Sequence, residues 1–101
     1  MNQLIVDTCD KLSEIADTLY RGDTRAGIAA MGLVISELAE ICDSIRDEEI
    51  KNRLVQESLM PIMEAMEDQD GVLLADLITY ELLGLLHTLE AVSYTHLRAH
   101  E

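Results

Sequence analysis

Glu37 and Glu40 stand three residues apart in the stretch "ELAE", a spacing that sets two carboxylates on one side of a helix. Oxygen ligands so placed could hold a hard cation such as Mg²⁺. Other reagents are scarce. His87 is the one histidine outside the last eleven residues, and no serine or cysteine is set beside it by spacing to serve as a nucleophile. A carboxylate-bridged di-iron bundle needs Glu-x-x-His on two helices, but Gly84 stands three before His87. The residues after His87 are Thr88, Leu89 and Glu90, with none of the basic and glycine character of a phosphotransfer site. No Cys or His spacing suits zinc, and no glycine-rich phosphate loop is present. No catalytic residue and no cofactor are therefore expected, with Mg²⁺ at the glutamate pair as the alternative.

Four helices must position these groups. Ile5, Cys9, Leu12, Ala16 and Leu19 step by four and three, the seam of an amphipathic helix expected over 2–20. "YRGDT" ends it, with Gly22 suited to a left-handed cap and Asp23 or Thr24 to the next N-cap. Arg21-Gly22-Asp23 spells an integrin-binding tripeptide, but it reads here as a helix junction. A second helix over 24–46 carries Ile28, Met31, Ile35, Leu38, Cys42 and Ile45, with Gly27 and Gly32 inside it. Asp47 is the expected cap of a third helix over 48–67, bearing Ile50, Leu54, Val55, Leu59, Ile62, Met63 and Met66, with a kink at Pro61. Met60, Met63 and Met66 read as core filler. Asp70 caps a fourth, strongly apolar helix over 71–90. The lengths and short turns predict an all-α, up-down-up-down four-helix bundle.

Two of these helices are apolar on two sides. On the fourth, Leu74, Ile78, Leu82, Leu85 and Leu89 form one arc, and Leu73, Leu77, Tyr80 and Gly84 form another. On the second, Ala30, Leu33 and Ile41 lie opposite the main seam, and Glu37 falls within that second stripe. A helix apolar on two sides wants two neighbours. Ala30, Leu33, Ile41, Leu73, Leu77, Tyr80 and Gly84 are accordingly the candidate interface, for a protein partner or a homo-oligomer.

Twenty Asp and Glu against seven Lys and Arg give the 101 residues a formal charge of −13, which repels nucleic acid and anionic membranes and favours basic partners. No uninterrupted apolar run reaches the roughly 18 residues of a membrane span, and no signal peptide is seen. The expectation is a soluble cytoplasmic protein that binds neither nucleic acid nor membrane. Phe and Trp are absent, so the core must be aliphatic. An antiparallel hairpin centred near Gly22 sets Cys9 beside position 35 and not 42, so both thiols are expected buried and reduced.

Residues 92–101 resemble translated sequencing-adapter DNA, because one codon per residue from Val92 onward spells the end of a transposase adapter. The expected domain is therefore residues 1–90, with 91–101 a non-native tail and the natural C-terminus missing. "LYRG" (19–22), Gly27 with Met31, and "LADLITYEL" (74–82) resemble a family of small acidic all-helical proteins of unknown function from Firmicutes. That resemblance implies the fold and a source, but no activity. "ELAE" followed by "LLADLITYELLGLL" more weakly resembles the MazG-type nucleotide pyrophosphohydrolases, helical bundles that hold Mg²⁺ against a nucleoside triphosphate. This second resemblance implies Glu37, Glu40 and Asp76 as ligands. Leu73 stands where the motif has a fourth, acidic ligand, and no basic cluster faces a triphosphate.

Overall fold

The computed structural model describes the backbone of residues 2–99 and the side chains of 3–91. The side chains of 92–101, on which the expectation of a non-native tail falls, lie outside the described residues. The described chain is an all-α four-helix bundle: α1 is Asn2–Tyr20, α2 is Thr24–Ser44, α3 spans 48–67 and α4 spans 71–99. The expected boundaries agree closely for α1 and α3, but α2 ends two residues early, where Ile45 turns extended, and the backbone of α4 stays helical to Ala99 and not only to 90.

Local chemistry explains the breaks. Gly22 takes a φ of +94°, in the left-handed region that halts α1 at little steric cost. Asp23, Asp47 and Asp70 each accept a hydrogen bond from a backbone N–H of the following first turn: Ala26 at 3.2 Å, Glu49 at 2.9 Å and Leu73 at 3.1 Å respectively. In the third turn Gln69 adopts the left-handed conformation at φ 56°.

Both later helices contain a wide, π-helical stretch: Leu54–Leu59 in α3 and Ile78–Leu82 in α4. The one in α3 explains how Pro61 is tolerated. A proline inside a helix lacks its N–H and its ring collides with the carbonyl four residues back. Widening the preceding turn, where the Met60 N–H bonds to Val55 O, relieves that collision. The two wide stretches pack against each other.

Helix α1 lies between α2 and α4, and α4 lies between α1 and α3. Each middle helix therefore buries two sides. On α1 the buried arc comprises Ile5, Thr8, Cys9, Leu12, Ile15, Ala16 and Leu19, broader than the expected seam. Leu54, Ile62, Leu74, Ile78, Leu82 and Leu86 are fully buried where α3 and α4 meet the rest. Glycine sets two close approaches. A Cβ at Gly27 would strike Leu19, and one at Gly71 would strike the Thr24 side chain.

Three expectations need correction. Ile41 is only 1% exposed and belongs to the core. Helix α2 buries Gly27, Met31, Val34, Leu38 and Ile41, while Ile28, Ile35, Cys42 and Ile45 are only partly buried on its flank. Met60 and Met63 are 58% and 56% exposed, so they are surface residues, and Ser58 is buried in their place with its hydroxyl lacking a hydrogen-bond partner. By length and composition, Gly71–Ala91 is apolar enough to cross a membrane, with mean hydropathy 1.5 and 39% of that stretch buried in the bundle. Asp76 and Glu81 break the run of apolar letters without lowering its mean enough to exclude it. Core helices of bundles pass the same test, and the inner side of α4 is packed core.

Candidate functional site

The outer side of α4 keeps an apolar strip uncovered. Leu73 is 45% exposed and Tyr80 74%, Gly84 is exposed, and Leu77 is half-buried against the core. A Cβ added at Gly84 would meet nothing within 4 Å, so there is open space above the helix there. Of the four α4 residues expected to face a partner, Leu73, Tyr80 and Gly84 stand at the surface. Leu77 is partly used inside the fold.

The segment of chain that carries this strip has charges of one sign. From residue 54 to residue 91 the chain has five Glu and three Asp but no Lys or Arg. Every Lys and Arg among the described side chains lies at or before Arg53. Beside the strip, the Tyr20 hydroxyl donates to Asp76 Oδ1 at 2.6 Å, tying the end of α1 to α4. That hydrogen bond to the carboxylate is the main reason the Tyr20 pKa is raised above its ordinary 10.

A second feature lies between α1 and α2. An open groove of about 340 Å³ is lined by Ile15, Ala30, Leu33 and Val34, with Lys11, Glu14 and Glu37 among its polar residues. Ala30 is half-buried in this wall, and Leu33 is 79% exposed at its edge. Glu37 is fixed by two donors on α1: Lys11 Nζ to Oε1 at 2.6 Å, and the buried Thr8 hydroxyl to Oε2 at 3.1 Å. Thr8 follows Ile5 by three residues, inside the apolar stripe. A hydroxyl at such a position needs a partner, and that was the sequence signal for this contact.

The Lys11 bond lowers the Glu37 pKa below 4.5 and raises that of Lys11 above 10.5. A lowered acid stabilises the fold above its unfolded pKa and loses that effect as pH falls through the folded value. A raised lysine contributes fully below 10.5 and loses its effect as pH rises through the folded value. The bridge is therefore whole across neutral pH, and small because it is solvent-exposed. Glu37→Gln should melt slightly below wild type at pH 7, with the gap closing as pH drops below the carboxylate range. A gap that stays constant down to strongly acidic pH would show that the ion pair contributes nothing.

The postulated Mg²⁺ ligands are not brought together. Glu37 is held at Thr8 and Lys11, whereas Asp76 is held at Tyr20. Thr8 and Tyr20 are twelve residues apart on α1, about 18 Å along its axis. Ligands of one cation must converge to within about 2.6 Å of it. Glu40 is exposed, and among the described residues no three His, Cys, Asp or Glu side chains are grouped to hold a metal. The i, i+3 spacing placed Glu37 and Glu40 near each other, but Glu37 is turned into a bridge between α1 and α2.

The cysteines are free, with Cys9 buried and Cys42 only half-buried, so the expectation that both are buried holds for Cys9 alone. Burial, reinforced by Glu90 and Asp10, pushes the Cys9 thiol up to about 11. A thiol so protonated is a poor nucleophile. In the native protein a disulfide reagent should titrate Cys42 quickly and Cys9 only on the timescale of unfolding. Equal rates would contradict the burial of Cys9.

Fold and surface together define a small all-α four-helix bundle, acidic in composition, with an exposed apolar strip on α4 among the described residues. The chain belongs to the family described as a domain of unknown function, DUF8042, whose match covers residues 1–92. No curated protein and no solved structure matches it.

Proposed function

We propose that this chain is a non-enzymatic, cytoplasmic helical module that engages a protein partner or a second copy of itself through the outer side of α4. The observation that carries the reading is the uncovered strip of Leu73 and Tyr80 beside the open Gly84, on a helix that buries only part of its apolar surface. The net charge of −13, with Asp76 and Glu81 on the same helix, favours protein over nucleic acid or anionic lipid as the bound species. The short matches "LYRG" and "LADLITYEL" favour a Firmicutes source. Leu73→Asp tests the reading, because the side chain is exposed and its replacement should leave the fold intact. Helicity and melting temperature should match wild type, while binding measured by pull-down, or self-association measured by light scattering, is lost. A wild-type chain that is strictly monomeric and captures no protein would sink the proposal.

A further inference from the structure

Taking the outer side of α4 as a contact surface, we infer that its occupant is a cationic amphipathic helix of another protein, and not a second copy of this chain. This inference rests on the reading above and adds the chemistry of the partner.

The shape of the strip comes first. Leu73 and Gly84 are eleven residues apart, about 16 Å of helix axis, which matches three turns of a helix lying alongside. Leu73 and Tyr80 offer apolar contact, and half-buried Leu77 lies between them in sequence. At Gly84 the absence of a side chain leaves room for an approaching backbone. A glycine within a helix costs about 1 kcal/mol relative to alanine, and nothing inside the bundle requires it at this position.

Charge then selects the occupant. Two copies meeting through this strip about a two-fold axis would each bring the Asp76 and Glu81 carboxylates beside it toward the other. The segment 54–91 that carries the strip has no Lys or Arg to answer them, on chains of formal charge −13. Like charges brought together across an interface oppose association, most strongly at low salt. Exposed Glu81 sits beside Tyr80, and Asp76 follows Leu73 by three residues. A helix with leucine or isoleucine along one side and Lys or Arg at the margins would satisfy both the strip and its carboxylates.

The test uses four probes: the purified chain and three labelled peptides of about 16 residues, long enough to form a helix on contact. The first peptide has a leucine stripe flanked by lysines. The second keeps the stripe with glutamine flanks. The third keeps the lysines with the stripe scrambled. Fluorescence anisotropy should show saturable binding of the first, with the other two at least about tenfold weaker. Added salt should weaken the first. A Leu73→Gln/Tyr80→Gln variant with unchanged melting temperature should lose the binding, and Glu81→Lys should weaken it.

Equal binding of the glutamine-flanked peptide would overturn the cationic partner while leaving the interaction module standing. So would light scattering that shows a dimer abolished by Leu73→Gln. Equal binding of the scrambled peptide, indifferent to Leu73→Gln/Tyr80→Gln, would reduce the effect to bulk charge attraction and overturn the inference. No binding of any peptide to a monomeric chain would also overturn it.

Discussion

Leu12→Ala is expected to destabilise the protein by about 3–5 kcal/mol, the upper part of the range for a large-to-small change in a core that cannot close around the space. Leu12 is fully buried on α1, the helix that α2 and α4 both pack against. The core contains neither Phe nor Trp, so no large aromatic neighbour can swing into the gap. Domains of this size have roughly 5–15 kcal/mol of stability in all. The variant should therefore lose a large share of its stability, and at the low end of that range would be close to unfolding at ordinary temperatures. Urea titration should show a large drop in the midpoint with an unchanged slope. A loss below about 1.5 kcal/mol would match a volume-conserving swap and mean that α1 is not the common floor of the bundle.

Much of the fold could be read from single residues, because the signals that stop and start helices are local. Gly22, Asp23, Asp47 and Asp70 each act within a few residues of themselves, and the structure uses all four as expected. The rotation of α2 was not readable in this way. Its small and aliphatic residues surround the axis so evenly that the seam through Ile28, Ile35 and Cys42 and the one through Gly27, Val34 and Ile41 look alike. The choice depends on Leu19 of α1, which needs the bare Cα of Gly27 beneath it.

In α3 the error had a different origin. A wide stretch such as Leu54–Leu59 advances by less than 100° per residue, so a regular helical count misplaces some of the residues in and after it, although Ile62 still falls in the core. That is how Ser58 comes to be buried and Met60 and Met63 exposed. The candidate strip on α4 was legible as a second apolar arc. The Tyr20–Asp76 and Lys11–Glu37 contacts were not, since they join residues 56 and 26 apart in the chain and arise only from packing. The same contacts dispersed the metal set that the i, i+3 spacing had suggested.

Gly32→Ala should raise stability and Gly27→Ala should not, and the pair tests why α2 turns the way it does. Alanine improves an interior helix position by about 1 kcal/mol over glycine. At Gly32 a new Cβ meets nothing within 4 Å, so that gain should appear almost undiminished. At Gly27 the new Cβ would lie 2.5 Å from Leu19 Cγ, a buried atom near the root of its side chain with little freedom to yield. Overpacking of this kind costs about 1–3 kcal/mol, enough to cancel the propensity gain or exceed it by up to about 2 kcal/mol. For a domain of this size each kcal/mol moves the melting temperature by about 4–8 °C. The two variants should therefore separate clearly by circular dichroism, with Gly32→Ala above wild type and Gly27→Ala at or below it. Were both to melt higher, α1 and α2 could not be in close contact at Leu19, and the burial of Ile41 would lose its cause. Helix α2 would then be free to rotate toward Ile28 and Ile35, bringing Ile41 back to the surface beside Leu33.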